Sequence, residues 1–312
     1  MPDDVVLHPE MQILIDIKKS LPPATTIEEM RAAWDDYSSS TREPYPDGMQ
    51  VEDIQVPRDG GTVPVRVYRP AAAAETAPVV LYIHGGGFMK GDLNSSDSVA
   101  WGLSQETGMV VASIDYRLAP EHPYPAAFDD CYTVLTHVAG GGLGDGVDTG
   151  RIAICGDSAG GNLSAAVCLA ARDRNGPKIA VQILIYPCLT DGCDTPAYGV
   201  HAETPGLTAA SMHTYWDWYL AGQTRPCTEP YAVPLKASDL SGLPPAFVHI
   251  AEIDPLADDG RTYADMLMAA GVETQFRCAD GMIHGFLRCR LQGKDSAREF
   301  ASFCDFLKSK LG

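Results

Sequence analysis

A serine stands between two glycines in residues 156–160, which read Gly-Asp-Ser-Ala-Gly. The apolar run before it, residues 151–155, predicts a strand, and residues 162–172 after it have a helical pattern. Strand, Gly-x-Ser-x-Gly and helix in that order are typical of a sharp turn that exposes a nucleophilic hydroxyl. Both glycines are needed because a Cβ at either position would collide with neighbouring backbone. Ser158 is therefore the candidate nucleophile for acyl transfer.

A second glycine-rich segment, residues 84–88, reads His-Gly-Gly-Gly-Phe and stands at the end of another apolar run. Three consecutive glycines leave backbone N–H groups with no side chain in front of them, so these groups can point at an oxyanion. We expect the amides of Gly86 and Gly87, with that of Ala159 after the nucleophile, to form an oxyanion hole. A phosphate-binding loop is the alternative for a glycine cluster, but no Gly-Lys-Ser/Thr follows here.

Eight histidines could supply the base that a serine nucleophile needs. They are His8, His84, His122, His137, His201, His213, His249 and His284. In folds that carry this turn, the chain order is serine, acid and histidine, with the histidine after the last strand. Only His284 satisfies that order, and we expect it on a glycine-flanked loop that follows residues 274–278.

The acid that orients the base is expected at the tip of a late strand. The apolar run 247–251 leads into Glu-Ile-Asp-Pro-Leu, and Pro255 keeps a helix from starting before Asp254. This places the Asp254 carboxylate on a loop at the strand tip. Asp258 and Asp259 are the competing candidates, but carboxylates are also typical of the first turn of a helix, and one begins there.

A sheet must bring these residues together, and the sequence contains eight candidate strands. They are residues 51–56, 62–68, 79–84, 109–115, 152–155, 179–186, 247–251 and 274–278. The first two flank Asp-Gly-Gly and predict a hairpin, whereas the later ones are largely apolar and alternate with amphipathic helical stretches. We therefore predict an α/β fold with an eight-stranded, mostly parallel sheet covered by helices.

Two segments do not belong to this alternation. Residues 1–47 precede the first strand, and an insertion at about 189–223 interrupts the sixth and seventh strands. Both can cover the carboxyl edge of the sheet, where open α/β folds place their sites. We expect them to form a helical cap on a catalytic domain of residues 48–312, with Tyr215, Trp216 and Tyr219 in contact with substrate. The alternative is surface decoration.

The charge of the chain limits its partners. The 312 residues include 23 Lys and Arg against 41 Asp and Glu, a formal net charge of −18. No Lys- or Arg-rich run is present, so we expect no nucleic-acid or membrane partner. Residues 1–19 carry acidic residues where a secretory signal needs basic ones, which predicts a soluble, cytoplasmic protein.

The nine cysteines are scattered, with no Cys-x-x-Cys pair and no histidine at zinc-finger spacing. We expect reduced, structural thiols and no metal site. Cys188 and Cys193 are the one pair that the spacing allows as a disulfide.

These motifs resemble those of the bacterial branch of the hormone-sensitive lipase family, carboxylesterases with an α/β-hydrolase fold. Residues 115–127 are similar to the hallmark that follows the fourth strand, and residues 204–208 to the family's lid segment. Asp-Pro-Leu at 254–256 and His-Gly-Phe at 284–286 resemble the acid and base motifs. The resemblance extends from about residue 51 to the C-terminus. One departure is Ala257, where the family commonly has an arginine. The absence of the arginine removes a local ion pair.

The resemblance implies a catalytic triad of Ser158, Asp254 and His284 that hydrolyses short- to medium-chain acyl esters beneath a lid, with no cofactor or metal. The expected partner is a small-molecule ester, and a homodimer could form through the edge strand or the last helix. Two alternatives stay open at this point. One is an amidase or lactonase that uses the same triad, and the other is a non-catalytic ligand-binding protein of the same fold.

Overall fold

One eight-stranded sheet forms the centre of the protein in a computed structural model that describes residues 6–312. The strands are β1 (Gln50–Arg58), β2 (Gly61–Arg69), β3 (Ala77–Ile83), β4 (Val110–Ile114), β5 (Val147–Asp157), β6 (Val181–Ile185), β7 (Ala246–Ile253) and β8 (Thr274–Ile283). Their order is β1-β2-β4-β3-β5-β6-β7-β8. The β1–β2 and β2–β4 pairs are antiparallel and the others are parallel, so the predicted sheet is confirmed.

Helices cover both faces of this sheet. They are α1 (Met11–Ser20), α2 (Ile27–Ser39), α3 (Asp97–Thr107), α4 (Ala126–Ala139), α5 (Ala159–Asp173), α6 (Pro196–Val200), α7 (Ala209–Tyr219), α8 (Ala257–Ala269) and α9 (Lys294–Leu311). Alternate residues of the buried strand β3 face different cores: Val79 and Leu81 pack with α4, α5 and α8, whereas Val80 and Tyr82 pack with α1, α3 and α9. Among the described residues, no helix is long and apolar enough to cross a membrane.

Strand β8 is longer than the sequence pattern predicts, because it continues past Cys278 to Ile283. The extension includes Gly281, whose φ of 65° interrupts the apolar pattern without ending the pairing with β7. The Gly281 amide donates to the Glu252 carboxylate, and its carbonyl accepts from the His8 amide at 2.7 Å. His284 therefore directly follows a strand rather than lying within a loop.

A buried polar cluster fastens α9 to the two strands that precede the candidate acid and base. The Glu299 carboxylate accepts hydrogen bonds from the Arg277 guanidinium and, at 3.0 Å, from Nε2 of His249. Burial alone raises the pKa of Glu299, but these two partners lower it to about 2. Burial also lowers the pKa of His249, which is fully buried and is not part of the candidate triad.

We expect Glu299→Gln to lower the free energy of unfolding at pH 7 by about 2 kcal/mol, because it removes the charge that pairs with Arg277 and one of the two acceptor oxygens. The folded pKa of about 2 lies below the usual 4.5, so the contribution is present above about pH 4.5 and is lost as the pH falls towards 2. Urea unfolding near pH 7 and near pH 3 measures the difference between variant and parent. It should shrink at the lower pH, while the exposed control Glu75→Gln changes little at either. An equal difference at both pH values would contradict this account.

Candidate active site

Ser158 lies on the sharp turn between β5 and α5, with φ of 56° and ψ of −118°. This backbone conformation is rare for a residue with a side chain, so the surrounding structure must hold it. The Ser158 amide donates to the carbonyl of Ile185 at 2.8 Å. A Cβ at position 156 would overlap the carbonyl oxygen of Gly160, and one at position 160 would overlap that of Ile83. The glycines are therefore needed for the reason inferred from the sequence.

The three predicted triad residues lie in one hydrogen-bonded series. Nε2 of His284 is 2.9 Å from Oγ of Ser158, and Nδ1 is 2.6 Å from Oδ2 of Asp254. Asp254 is fully buried, and its Oδ1 accepts from the Leu256 amide at 3.0 Å. If Nδ1 carries the proton that Asp254 accepts, the lone pair of Nε2 faces the serine hydroxyl. This arrangement can remove the proton from Ser158.

The two competing aspartates have other partners. Oδ2 of Asp259 accepts from the amides of Leu189 and Thr190, and Oδ2 of Asp258 accepts from that of Ala197. Burial raises the pKa of Asp259 to about 8, so this group is largely protonated at neutral pH. Both side chains hold the start of the insertion after β6, and neither is bonded to the candidate base.

The glycine motif forms a loop, and two of its amides, those of Gly86 and Gly87, have no hydrogen-bond acceptor among the described residues. Gly86 and Gly87 have φ values of 134° and 62°, which glycine adopts readily. Within residues 6–312 their N–H groups donate no hydrogen bond. Ala159 is the first residue of α5, and such a residue has no N–H acceptor inside its own helix. All three predicted donors are thus available for an oxyanion beside Ser158.

Asp157 connects this loop to the serine turn, a role that the sequence analysis does not assign. Its Oδ1 accepts from the Tyr82 hydroxyl at 2.7 Å and from the Gly85 amide at 2.9 Å. Burial, and then the charge of Asp157, raise the pKa of Tyr82 well above its usual value, so the hydroxyl stays a donor. In the sequence, the one signal for this role is that Asp157 stands inside the Gly-x-Ser-x-Gly motif.

A cavity of about 200 Å³ opens over Ser158, and both segments outside the βα alternation contribute to its wall. From the N-terminal segment come Leu14, Lys18, Leu21, Ala24, Met30, Ala33, Trp34 and Tyr37; from the insertion come Pro205, Gly206, Leu207, Ser211, Met212 and Tyr215. The N-terminal residues carry no motif, and sequence reasoning named none of them individually.

Of the three aromatic residues expected to contact substrate, only Tyr215 lines the cavity. Trp216 and Tyr219 are fully buried beneath it, where the Tyr219 ring stacks on Phe88 at 3.8 Å between centroids. Successive residues of a helix point about 100° apart, so Tyr215 and Trp216 cannot face the same space. The expectation for Trp216 and Tyr219 is therefore corrected: they support the glycine loop from within the core.

Helix α2 is held over the site by Arg31. Its guanidinium donates to both oxygens of Glu121, at 2.9 and 2.7 Å, and to the carbonyl of Met89 at 2.8 Å. The hydrogen bond from Arg31 is the main cause that lowers the pKa of Glu121 to about 2. Glu121 belongs to the hallmark segment 115–127, so that segment has a structural contact with the N-terminal helices.

Comparison with known proteins shows extensive similarity. Residues 80–288 match a family described as alpha/beta hydrolase fold, and residues 34–120 match the carboxylesterase family. The chain is 41% identical to the carboxylesterase NlhH of Mycobacterium tuberculosis over 246 residues, 78% of this chain and 77% of that protein. It is 36% identical to an ethyl acetate hydrolase of Pseudomonas putida over 236 residues, 74% and 73% of the two chains.

The fold agrees equally well with solved structures. A hyperthermophilic esterase of the archaeon Pyrobaculum calidifontis has a TM-score of 0.90 to this chain at 37% identity, covering 97% of this chain and 98% of that one. The resemblance deduced from the motifs is therefore confirmed. The chain belongs to the bacterial hormone-sensitive lipase family of α/β-hydrolases.

Proposed function

We propose that this protein is a serine carboxylesterase that hydrolyses short- to medium-chain acyl esters. The observation that carries the proposal is the continuous hydrogen-bonded series of Ser158, His284 and Asp254 beside amides that lack partners. Relatives named as a carboxylesterase and an ethyl acetate hydrolase support an ester as the substrate class.

In the acylation half of the reaction, Oγ of Ser158 attacks the carbonyl carbon of the ester while Nε2 of His284 takes the hydroxyl proton. The carbonyl oxygen becomes an oxyanion that accepts from the amides of Gly86, Gly87 and Ala159. The bond to the alcohol oxygen then breaks, and His284 gives its proton to that oxygen. The products of this half are the free alcohol and an acyl-enzyme.

In the deacylation half, water replaces the alcohol. His284 takes a proton from water as the hydroxide attacks the acyl carbon, and it returns the proton to Oγ of Ser158 when the acid leaves. Asp254 keeps the remaining proton on Nδ1 and stabilises the imidazolium in both halves. Net, one ester and one water become one acid and one alcohol, with Ser158 restored.

Residues 1–47 and the insertion at about 189–223 act as a cap in this proposal, on a catalytic domain of residues 48–312. Support comes from the cavity wall, to which α1, α2 and α7 all contribute apolar side chains. Such a wall excludes water from the oxyanion and limits the length of the acyl chain.

Compartment and assembly are also proposals. All nine cysteines are free and eight are buried, Cys188 and Cys193 among them, which fits a reducing compartment such as the cytoplasm. The homodimer stays a prediction, supported by the position of β8 at the edge of the sheet.

The first test is Ser158→Ala. We expect turnover to fall by about 10⁴-fold or more with the melting temperature retained, because a triad acts as a unit. An organophosphonate should label the parent at Ser158 alone, as peptide mass spectrometry can show. Ser164→Ala, in the helix α5 that follows Ser158, is the control and should keep turnover within about twofold of the parent. Labelling at another serine would assign the nucleophile elsewhere.

The second test distinguishes the three aspartates. Asp254→Asn should lower turnover by about 10⁴-fold, because an amide cannot keep the required tautomer of His284. Asp258→Asn and Asp259→Asn retain an oxygen for their amide donors and should have far smaller effects. Steady-state kinetics on all three variants measures this order, and a larger loss at either of the last two would show that Asp254 is not the acid.

The third test concerns acyl length. Each buried methylene contributes about 0.8 kcal/mol, so kcat/KM should rise with chain length, peak at roughly four to eight carbons and then fall when the chain meets the wall. Met212→Ala removes part of that wall and should move the peak to longer chains. The matched control Met268→Ala lies on the exposed face of α8 and should leave it in place. A peak at long-chain esters in the parent would contradict the esterase assignment and indicate a lipase.

A further inference from the structure

The cavity over Ser158 has an unusual balance of charge. Apart from His284, the charged residues that line it, among residues 6–312, are the cations Lys18, Lys90 and Arg288 and one carboxylate, Asp157. That carboxylate is hydrogen-bonded to the hydroxyl of Tyr82 and the amide of Gly85. In a chain with a net charge of −18, the substrate cavity is therefore positively charged.

Each of the two lysines contacts a residue that packs against the site around Ser158. Lys90 contacts Tyr215, and Lys18 contacts Gly206. Nζ of Lys90 donates to the Tyr215 hydroxyl at 2.9 Å, and the Tyr215 ring lies directly against Gly87 of the glycine loop. Nζ of Lys18, at the rim of the cavity, donates to the carbonyls of Pro205 and Gly206 at 2.8 and 3.3 Å. Gly206 in turn packs against the backbone of His284.

None of these cations is neutralised by a carboxylate. Across residues 6–312, Lys18, Lys90 and Arg288 form no ion pair. Arg288 donates to the hydroxyl of Ser38 and to a backbone carbonyl, and its guanidinium lies 4.2 Å from the ring centroid of Trp34. Nζ of Lys90 lies 4.8 Å from the centroid of the same ring. Lys90 also lies over the Tyr215 ring and Arg288 over the Tyr37 ring, so these cations are held by neutral groups and aromatic rings.

The positive charge of Lys90 and Lys18 changes the pKa of Tyr215. Burial raises the pKa of its hydroxyl, but the charge and hydrogen bond of Lys90, with the charge of Lys18, lower it below the usual value overall. Lys18 and Lys90 also repel each other, and burial together with the charge of Lys90 lowers the pKa of Lys18. An anionic group between them would relieve this repulsion and accept hydrogen bonds, since each ammonium group has three donors.

We infer that the preferred ester carries a carboxylate in addition to its ester group. Lys18 and Lys90 bind this carboxylate while the scissile carbonyl lies at Ser158. The inference rests on the proposed function and names the substrate class of that same site. This carboxylate forms and breaks no covalent bond in the reaction. The acidic surface does not prevent its entry, because at physiological ionic strength exposed charges are screened beyond about 8 Å.

The experiment compares esters that differ only in that charge. On the acyl side, 4-nitrophenyl hydrogen adipate is matched with 4-nitrophenyl 6-methylheptanoate, in which an isopropyl group replaces the carboxylate. On the alcohol side, 4-acetoxybenzoate is matched with 4-isopropylphenyl acetate. The readout is the ratio of kcat/KM for the anionic ester to that for the neutral one. The pair with the higher ratio identifies the end of the substrate that the lysines bind.

We expect a ratio of about ten or more for at least one pair in the parent protein, decreasing as salt is added. Lys18→Met and Lys90→Met should each lower this ratio about tenfold, whereas Lys18→Arg and Lys90→Arg should largely retain it. Lys19→Met, at the next position in α1, removes an exposed charge outside the cavity and should leave the ratio unchanged.

Two results would overturn the inference. The first is a ratio of one or less for both pairs while the neutral esters are hydrolysed. The second is an equal loss on both members of a pair in the Met variants, which would mean that Lys18 and Lys90 only hold the cap together. Failure to hydrolyse any of the four esters would instead contradict the proposed function, so the two failures are distinguishable.

Discussion

Helix α5 approaches strand β3 so closely that a methyl group at position 160 would overlap the carbonyl oxygen of Ile83. The turn that follows this contact holds Ser158 in a strained conformation, with Oγ facing Nε2 of His284. Because β3 also leads into the glycine loop, the same contact sets that loop beside the serine, and Asp157 fastens the two together. The positions of the candidate nucleophile and oxyanion donors thus follow from one close approach of backbone to backbone.

Much of this arrangement can be predicted from the sequence, because its causes are local. Apolar runs covered on both faces, the two glycine motifs and the proline after Asp254 each restrict the backbone within a few residues. The order of the strands then brings distant residues to one edge, so Ser158 and His284, 126 positions apart, form a hydrogen bond. Steric limits determine these features, and such limits can be recognised in the pattern of residue types.

The cavity wall could not be predicted in the same way. Whether Tyr215 or Trp216 faces the substrate depends on the rotation of α7 about its axis, which is set by packing against Phe88 rather than by the residues of α7 themselves. Lys18 and Lys90 are 72 positions apart, and only the folded chain brings both to one cavity. Strand β8 was predicted too short because Gly281 looks like a turn, whereas Glu252 and the N-terminal segment hold it in the sheet.

The walls of the cavity and the machinery beneath it are made by different parts of the chain. Trp34 and Met212 belong to segments that lie outside the sheet, whereas the proposed acid, base and nucleophile lie at the ends of its strands. Mutations of lining residues such as Trp34 and Met212 can therefore change which molecules fit while the strand contacts beneath the cavity are kept. Selection can therefore change the substrate range at these positions while the catalytic residues are retained. A single ancestral hydrolase with this arrangement can give rise to descendants that act on different substrates.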